Sequence, residues 1–123
     1  MRARIEVVTV PVSDPDVAKE FYVDRLGFTL DHDQTVSEEI RFLQVTPPGS
    51  ACSIAFGRGL STMQPGSLSA VMMVVDDADA ARAELLEARV QVSEVDEQAW
   101  GRFVTFDDPD GNHWTLQQLP ARR

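Results

Sequence analysis

The chain of 123 residues has one cysteine, one tyrosine and two histidines, and it is short of basic side chains. Each scarcity removes a class of explanation. Cys52 has no intrachain partner, so a disulfide-stapled secreted scaffold is excluded and a reducing, cytoplasmic setting is expected. Lys and Arg number 11 against 20 Asp and Glu, for a net charge of -9. The one pair of adjacent basic residues is Arg122-Arg123. A nucleic-acid partner, which needs a basic patch, is therefore not expected; a cationic or neutral small molecule is compatible. No apolar run approaches the ~20 residues of a membrane helix. The opening Met1-Arg2-Ala3-Arg4-Ile5-Glu6 lacks the apolar stretch of a signal peptide. Also missing are Gly-x-Ser-x-Gly, a phosphate loop, a dinucleotide fingerprint, a Cys pair and His-Glu-x-x-His.

What remains is a patterned chain with 43% hydrophobic residues, enough for one core but not two. Ile5–Val12 reads as a β-branched strand. Asp14 is placed to cap a helix, Pro15 suits its first position, and Val17, Ala18, Phe21 and Tyr22 recur at helical spacing until Gly27. Three strands are predicted next: Phe28–Asp33, Glu39–Thr46 and Ala51–Gly57, the last two separated by Pro47-Pro48-Gly49-Ser50. Residues 58–66 read as a linker. The order then restarts: strand Leu68–Val75, cap Asp76-Asp77, helix Ala78–Ala88, and strands Val90–Val95, Arg102–Phe106 and Asn112–Leu119. Turns are expected at Asp96–Gly101 and Asp107–Gly111.

The repetition extends to residues. Val12, Asp14, Asp16 and Ala18 align with Val75, Asp77, Asp79 and Ala81 at one constant offset. Two copies point to a pseudo-symmetric pair, because a solenoid needs three or more. The expected fold is α+β in one domain. Two βαβββ modules, residues 4–57 and 67–119, form a cupped mixed sheet around one cleft. Each sheet has its helix on one side only, so the other face is free for a ligand.

Val8-x-Val10-x-Val12-x-Asp14, Phe21-Tyr22-x-x-x-Leu26-Gly27-Phe28 and Asp108-Pro109-Asp110-Gly111-Asn112, in that order, resemble the vicinal oxygen chelate superfamily. That superfamily comprises glyoxalases, bleomycin-resistance proteins and extradiol dioxygenases. The resemblance spans Ile5 to Gln118 and implies the paired modules above, usually in homodimers. The motif residues also read structurally: Phe21, Tyr22, Leu26 and Phe28 as core, and Asp108–Asn112 as a tight turn.

Catalytic members of the superfamily hold a divalent metal on His, Gln or Glu side chains. The resemblance carries three of these positions onto Val7, Ala70 and Thr115, and a fourth onto Ser53 or Ala55. None supplies an imidazole or a carboxylate, so no metal and no cofactor is expected. Strand alternation lines the cleft with Val7, Thr9 and Pro11, with Phe42 and Gln44, with Ala70, Met72 and Val74, and with Phe103, Thr105, His113, Thr115 and Gln117. Trp100 is expected at the rim and Trp114 in the core. The ligand-binding candidates are Thr9, Phe42, Gln44, Met72, Trp100, Phe103, Thr105, His113 and Thr115. His113 is also a candidate general base. His32, among Asp31 and Asp33, reads as a solvated surface residue, and Cys52 as a small core residue.

Three functions are compatible with this pattern. The leading one is a metal-independent small-molecule binding protein, resembling those that sequester a toxic or antibiotic-like ligand. The alternatives are a glyoxalase-type lyase or dioxygenase with a non-standard site, and a ligand-free dimerisation module.

Overall fold

The computed structural model describes residues 1–121, so the Arg122-Arg123 pair lies outside the described residues. Both halves build the same unit. The first contains β1 (Val7–Thr9), α1 (Pro15–Lys19), β2 (Thr29–Thr35), β3 (Arg41–Thr46) and β4 (Ser53–Arg58). The second contains β5 (Val71–Val75), α2 (Ala78–Glu87), β6 (Asp96–Gln98), β7 (Gly101–Asp107) and β8 (His113–Gln118). The sheet orders are β1-β4-β3-β2 and β5-β8-β7-β6. In each sheet the first strand runs parallel to the last, and the other pairings are antiparallel. This is the duplicated βαβββ order expected from the sequence.

Local chemistry explains the two strand-to-helix corners. Asp14 and Asp77 both sit in extended backbone (φ -130 and -147) and point their carboxylates at the free amides of the helix that follows. Asp14 accepts from Asp16 N at 2.9 Å, and Asp77 accepts from Ala80 N at 3.1 Å. A second matching device ties each helix to its own sheet. Arg41 on β3 bridges Asp16 at 2.8 Å and Asp33 at 3.1 Å. Arg102 on β7 bridges Asp79 at 2.8 Å and Glu97 at 2.9 Å. In both modules an arginine of the third strand joins the first helical turn to the second strand.

Several boundaries differ from the expectation. The opening strand is shorter because its ladder stops before Pro11, which has no amide to donate. The first helix does not run uniformly to Gly27. After Lys19 it widens into a π turn, Glu20–Arg25, in which Leu26 N donates to Phe21 O at 2.9 Å. Val90–Val95 is not a strand. Val90 is buried in the core, Val92 makes a single bridge to Phe106, and the Ser93 hydroxyl takes the Thr105 amide at 2.9 Å. The strand comes later, at Asp96–Gln98, where a turn was expected.

One core joins the modules. Leu43, Val45, Ile54 and Phe56 from the first sheet meet Val104, Phe106, Trp114 and Leu116 from the second, with Phe21, Tyr22, Ala81 and Leu85 from the helical segments. The joint carries a buried polar network. Tyr22 donates its hydroxyl proton to Asp108 Oδ2 at 2.6 Å and accepts from Trp114 Nε1 at 2.9 Å. Asn112 Nδ2 donates to Asp108 Oδ2 and to Pro11 O, both at 2.8 Å. Asn112 Oδ1 accepts from Leu68 N at 3.1 Å. Burial, and then the adjacent Asp108 carboxylate, push the Tyr22 phenol far above its ordinary range, so it remains a donor at any working pH. Arg25 adds a second tie, donating to the carbonyls of Ala88 and Arg89 just past α2.

Candidate functional site

With β3, β7 and β8 committing Leu43, Val45, Val104, Phe106, Trp114 and Leu116 to the core, their alternate residues face outward, whereas β4 is buried on both faces from Ser53 to Phe56. Strand register arranges those outward residues in rows across the ladders. On the first sheet one row runs Thr9, Ala55, Gln44, His32, in which Ala55 is itself buried. Phe42 follows beside Gly57 and Gln34. On the second sheet one row runs Met72, Thr115, Thr105, and the next runs Val74, Gln117, Phe103, Asp96. His113 pairs with Asp107 at the far end. Thr9, Phe42 and Gln44 are thus brought together on one open face, and Met72, Phe103, Thr105, His113 and Thr115 on the other.

The second face is apolar to an extent that folding of the single chain does not explain. Met72 is 57% exposed, Val74 62% and Trp100 62%. Trp100 occupies the two-residue turn between β6 and β7, held by Gln117 Nε2 donating to its carbonyl at 3.0 Å. Gly101 follows with φ 148, and a Cβ there would lie 2.6 Å from Gln118 O, so only glycine completes this turn. Trp114, of the opposite parity, is 1% exposed and belongs to the core.

His32 is exposed, as expected from the sequence. It stands within β2 on the open face, opposite Gln44 and with its ring centroid 6.5 Å from that of Phe42. A bulge between Leu30 and His32 shifts the register by one residue and turns the imidazole outward. Cys52 precedes β4 and is half-buried, so it is not a core residue.

Two concavities adjoin these faces. One, of about 440 Å³, contains Thr9 and is walled by Arg58, Leu60, Ser61 and Met63. The segment read as a linker therefore shapes a cavity, a role that no residue pattern within it signals. The other, of about 960 Å³, follows the free edge of β5 between the modules and contains Met72, Cys52 and Arg25. Phe42, Gln44, Trp100, Phe103, Thr105, His113 and Thr115 lie on the open faces outside both.

The metal-bearing positions of related enzymes can be tested against the donors found here. Val7 lies beside Ser53, Thr115 lies beside Met72, and Ala70 precedes β5. Two aliphatic side chains and hydroxyls do not make a donor set for zinc, iron or magnesium. Among the described residues, no three His, Cys, Asp or Glu side chains gather into a cluster that could hold an ion. The residues present do not fit the metal.

Comparison with known proteins agrees with this architecture. Residues 4–116 match the Glyoxalase/Bleomycin resistance protein/Dioxygenase superfamily. The crystal structure of TnmS3, an antibiotic binding protein from Streptomyces sp. CB03234, superposes with a TM-score of 0.88 at 40% identity, covering 97% of this chain and 98% of that one. A glyoxalase/bleomycin resistance protein from the same organism gives a TM-score of 0.83 at 42% identity, over 94% and 100% of the two chains. An uncharacterized protein of Shewanella frigidimarina is 32% identical over 130 residues, 97% of this chain and 96% of that protein.

Proposed function

Since this chain belongs to the Glyoxalase/Bleomycin resistance protein/Dioxygenase superfamily, we propose that it is a metal-independent binding protein for a flat organic small molecule. The observation that carries this reading is the open face of the second sheet. Exposed Met72, Val74 and Trp100 surround regularly spaced Thr105, Thr115 and Gln117. Apolar area of this kind supplies affinity, and a few hydroxyl and amide groups set orientation. The likeness to an antibiotic binding protein at 40% identity supports an antibiotic-like ligand.

The same face supports a homodimer. β1 and β5 are sheet edges with one side unpaired, and Met72 and Val74 stand exposed on β5. A second copy would cover such edges and complete the cup. No helix of the described residues is long and apolar enough to cross a membrane; the proposed setting is the cytoplasm.

A thermal-shift screen against planar aromatic compounds, antibiotics among them, tests the function. At least one compound should raise the melting temperature, and Trp100→Ala should weaken its binding by about 1–3 kcal/mol. A blank screen at compound concentrations up to the solubility limit would sink the binding reading and favour a ligand-free dimerisation module.

A further inference from the structure

His113 and Asp107 form a pair that the fold does not need. They are register partners at the end of β7 and β8, with Nδ1 2.6 Å from Asp107 Oδ1 and both side chains substantially exposed. The adjoining turn is already closed by other bonds. Asp108 N donates to Asn112 O at 2.9 Å, Gly111 N donates to Asp108 O at 3.0 Å, and Asp108 Oδ1 accepts from the amides of Asp110 and Asn112. The backbone amide of His113 is separately held by Leu68 O at 2.8 Å. The side-chain pair is therefore spare with respect to structure.

Its chemistry is directional. A carboxylate only accepts, so the Nδ1 facing Asp107 carries the proton, and Nε2 of the neutral ring is left as an acceptor. The other charged groups on this open face are Asp107 itself and Asp96, which lies beside Phe103 two rows away. Arg102 has the opposite parity and is occupied by Asp79 and Glu97. Among the described residues of this face, His113 is thus the one group able to become positive. From His113 to Gln117 the strand advances about 13 Å, reaching the carbonyl of Trp100. That is the scale of a molecule of two or three fused rings.

Building on the binding function above, we propose that the His113–Asp107 pair is a proton-accepting anchor, and that the ligands of this face are planar phenols. The phenol O–H donates to His113 Nε2. On transfer, the proton passes to the ring and the electron pair stays on the oxygen. The result is an imidazolium between the Asp107 carboxylate and a phenolate. Total charge is unchanged: the pair goes from -1 to neutral as the ligand goes from neutral to -1. Because the phenol enters uncharged, the net charge of -9 does not repel it.

The test uses the full chain with 7-hydroxycoumarin and its 7-methoxy analogue, at a pH below the probe's own ionisation. The hydroxyl probe should bind at least about tenfold more tightly than the methoxy one, the scale of one charge-assisted hydrogen bond. Its phenolate absorption band should appear on binding. His113→Gln, an exposed substitution whose folding is checked by its melting curve, should abolish the band and bring the two probes to equal affinity. Asp107→Asn should weaken the band. A band that persists in His113→Gln, or equal binding of the two probes by the unaltered protein, overturns the proposal. So does an absence of binding by both probes. If the thermal-shift screen nonetheless finds ligands without a phenol, the binding function stands and the phenol anchor alone falls.

Discussion

Tyr22→Phe keeps the ring of a fully buried side chain and deletes a single oxygen, so its cost isolates the polar joint between the modules. Two groups lose a partner. The Trp114 indole N–H, 2.9 Å from the missing hydroxyl, is left without an acceptor in a core where that side chain is 1% exposed. Leaving a buried donor unpaired costs about 1–3 kcal/mol. Asp108 Oδ2 loses the 2.6 Å bond from Tyr22 and keeps only the Asn112 amide on that oxygen. A charge-assisted bond contributes about 1.5–3 kcal/mol, and part of this is recovered by the greater apolarity of Phe. The expected destabilisation is about 3 kcal/mol. At roughly 4 °C per kcal/mol for a domain of this size, the melting temperature should fall by about 12 °C. Circular-dichroism melts and urea titrations measure it, with the slope against urea unchanged. A double-mutant cycle with Trp114→Phe makes the assignment specific. In that background the indole donor is already gone, so Tyr22→Phe should cost about 1–2 kcal/mol less. Wild-type stability for Tyr22→Phe, within about 0.5 kcal/mol, or no coupling in the cycle, would refute the account of the joint.

Hydrogen bonds from Arg41 and then Lys19 hold the Asp33 carboxyl down at about 2 from its ordinary 3.8. A depressed carboxylate stabilises the fold above its unfolded value and loses that effect as pH falls through its folded value. The melting-temperature gap between wild type and Asp33→Asn, worth at most about 1 kcal/mol at this solvated site, should therefore close between pH ~4 and ~2; a gap that stays constant across that range refutes it. Elemental analysis of the purified protein should find far less than one divalent ion per chain, and EDTA should leave the melting curve in place. A tightly held zinc, one per chain, would restore the metalloenzyme alternative. Sedimentation at micromolar concentration should show a species of twice the 13.6 kDa chain mass, and a monomer alone would refute the dimer.

Features set by short-range chemistry were legible before the structure. Asp14 and Asp77 announce helix starts because a capping carboxylate acts within three residues. The outward placement of Thr9, Phe42, Gln44, Met72, Phe103, Thr105 and Thr115 follows from strict alternation along regular strands. The exposure of His32 was legible too, but the bulge that turns it to the open face leaves no mark in Leu30-Asp31-His32. Asp96-Glu97-Gln98 has little strand propensity, yet it pairs with β7, because upstream Val90 is drawn into the core and the Ser93 hydroxyl takes the Thr105 amide. The Tyr22–Asp108 bond joins residues at opposite ends of the chain, and neither local pattern contains the other.

The buried network has a practical consequence for anyone mapping this protein by mutation. Tyr22, Asp108 and Asn112 are the residues by which the chain is recognised, and they are also the ones that hold it together. A saturation scan read out by the proposed ligand binding would score these positions as the most intolerant, because an unfolded protein and one unable to bind are removed alike. They face no open sheet surface. The positions that carry information about the ligand are those where substitution leaves abundance intact, and a parallel measurement of soluble protein is what separates the two groups.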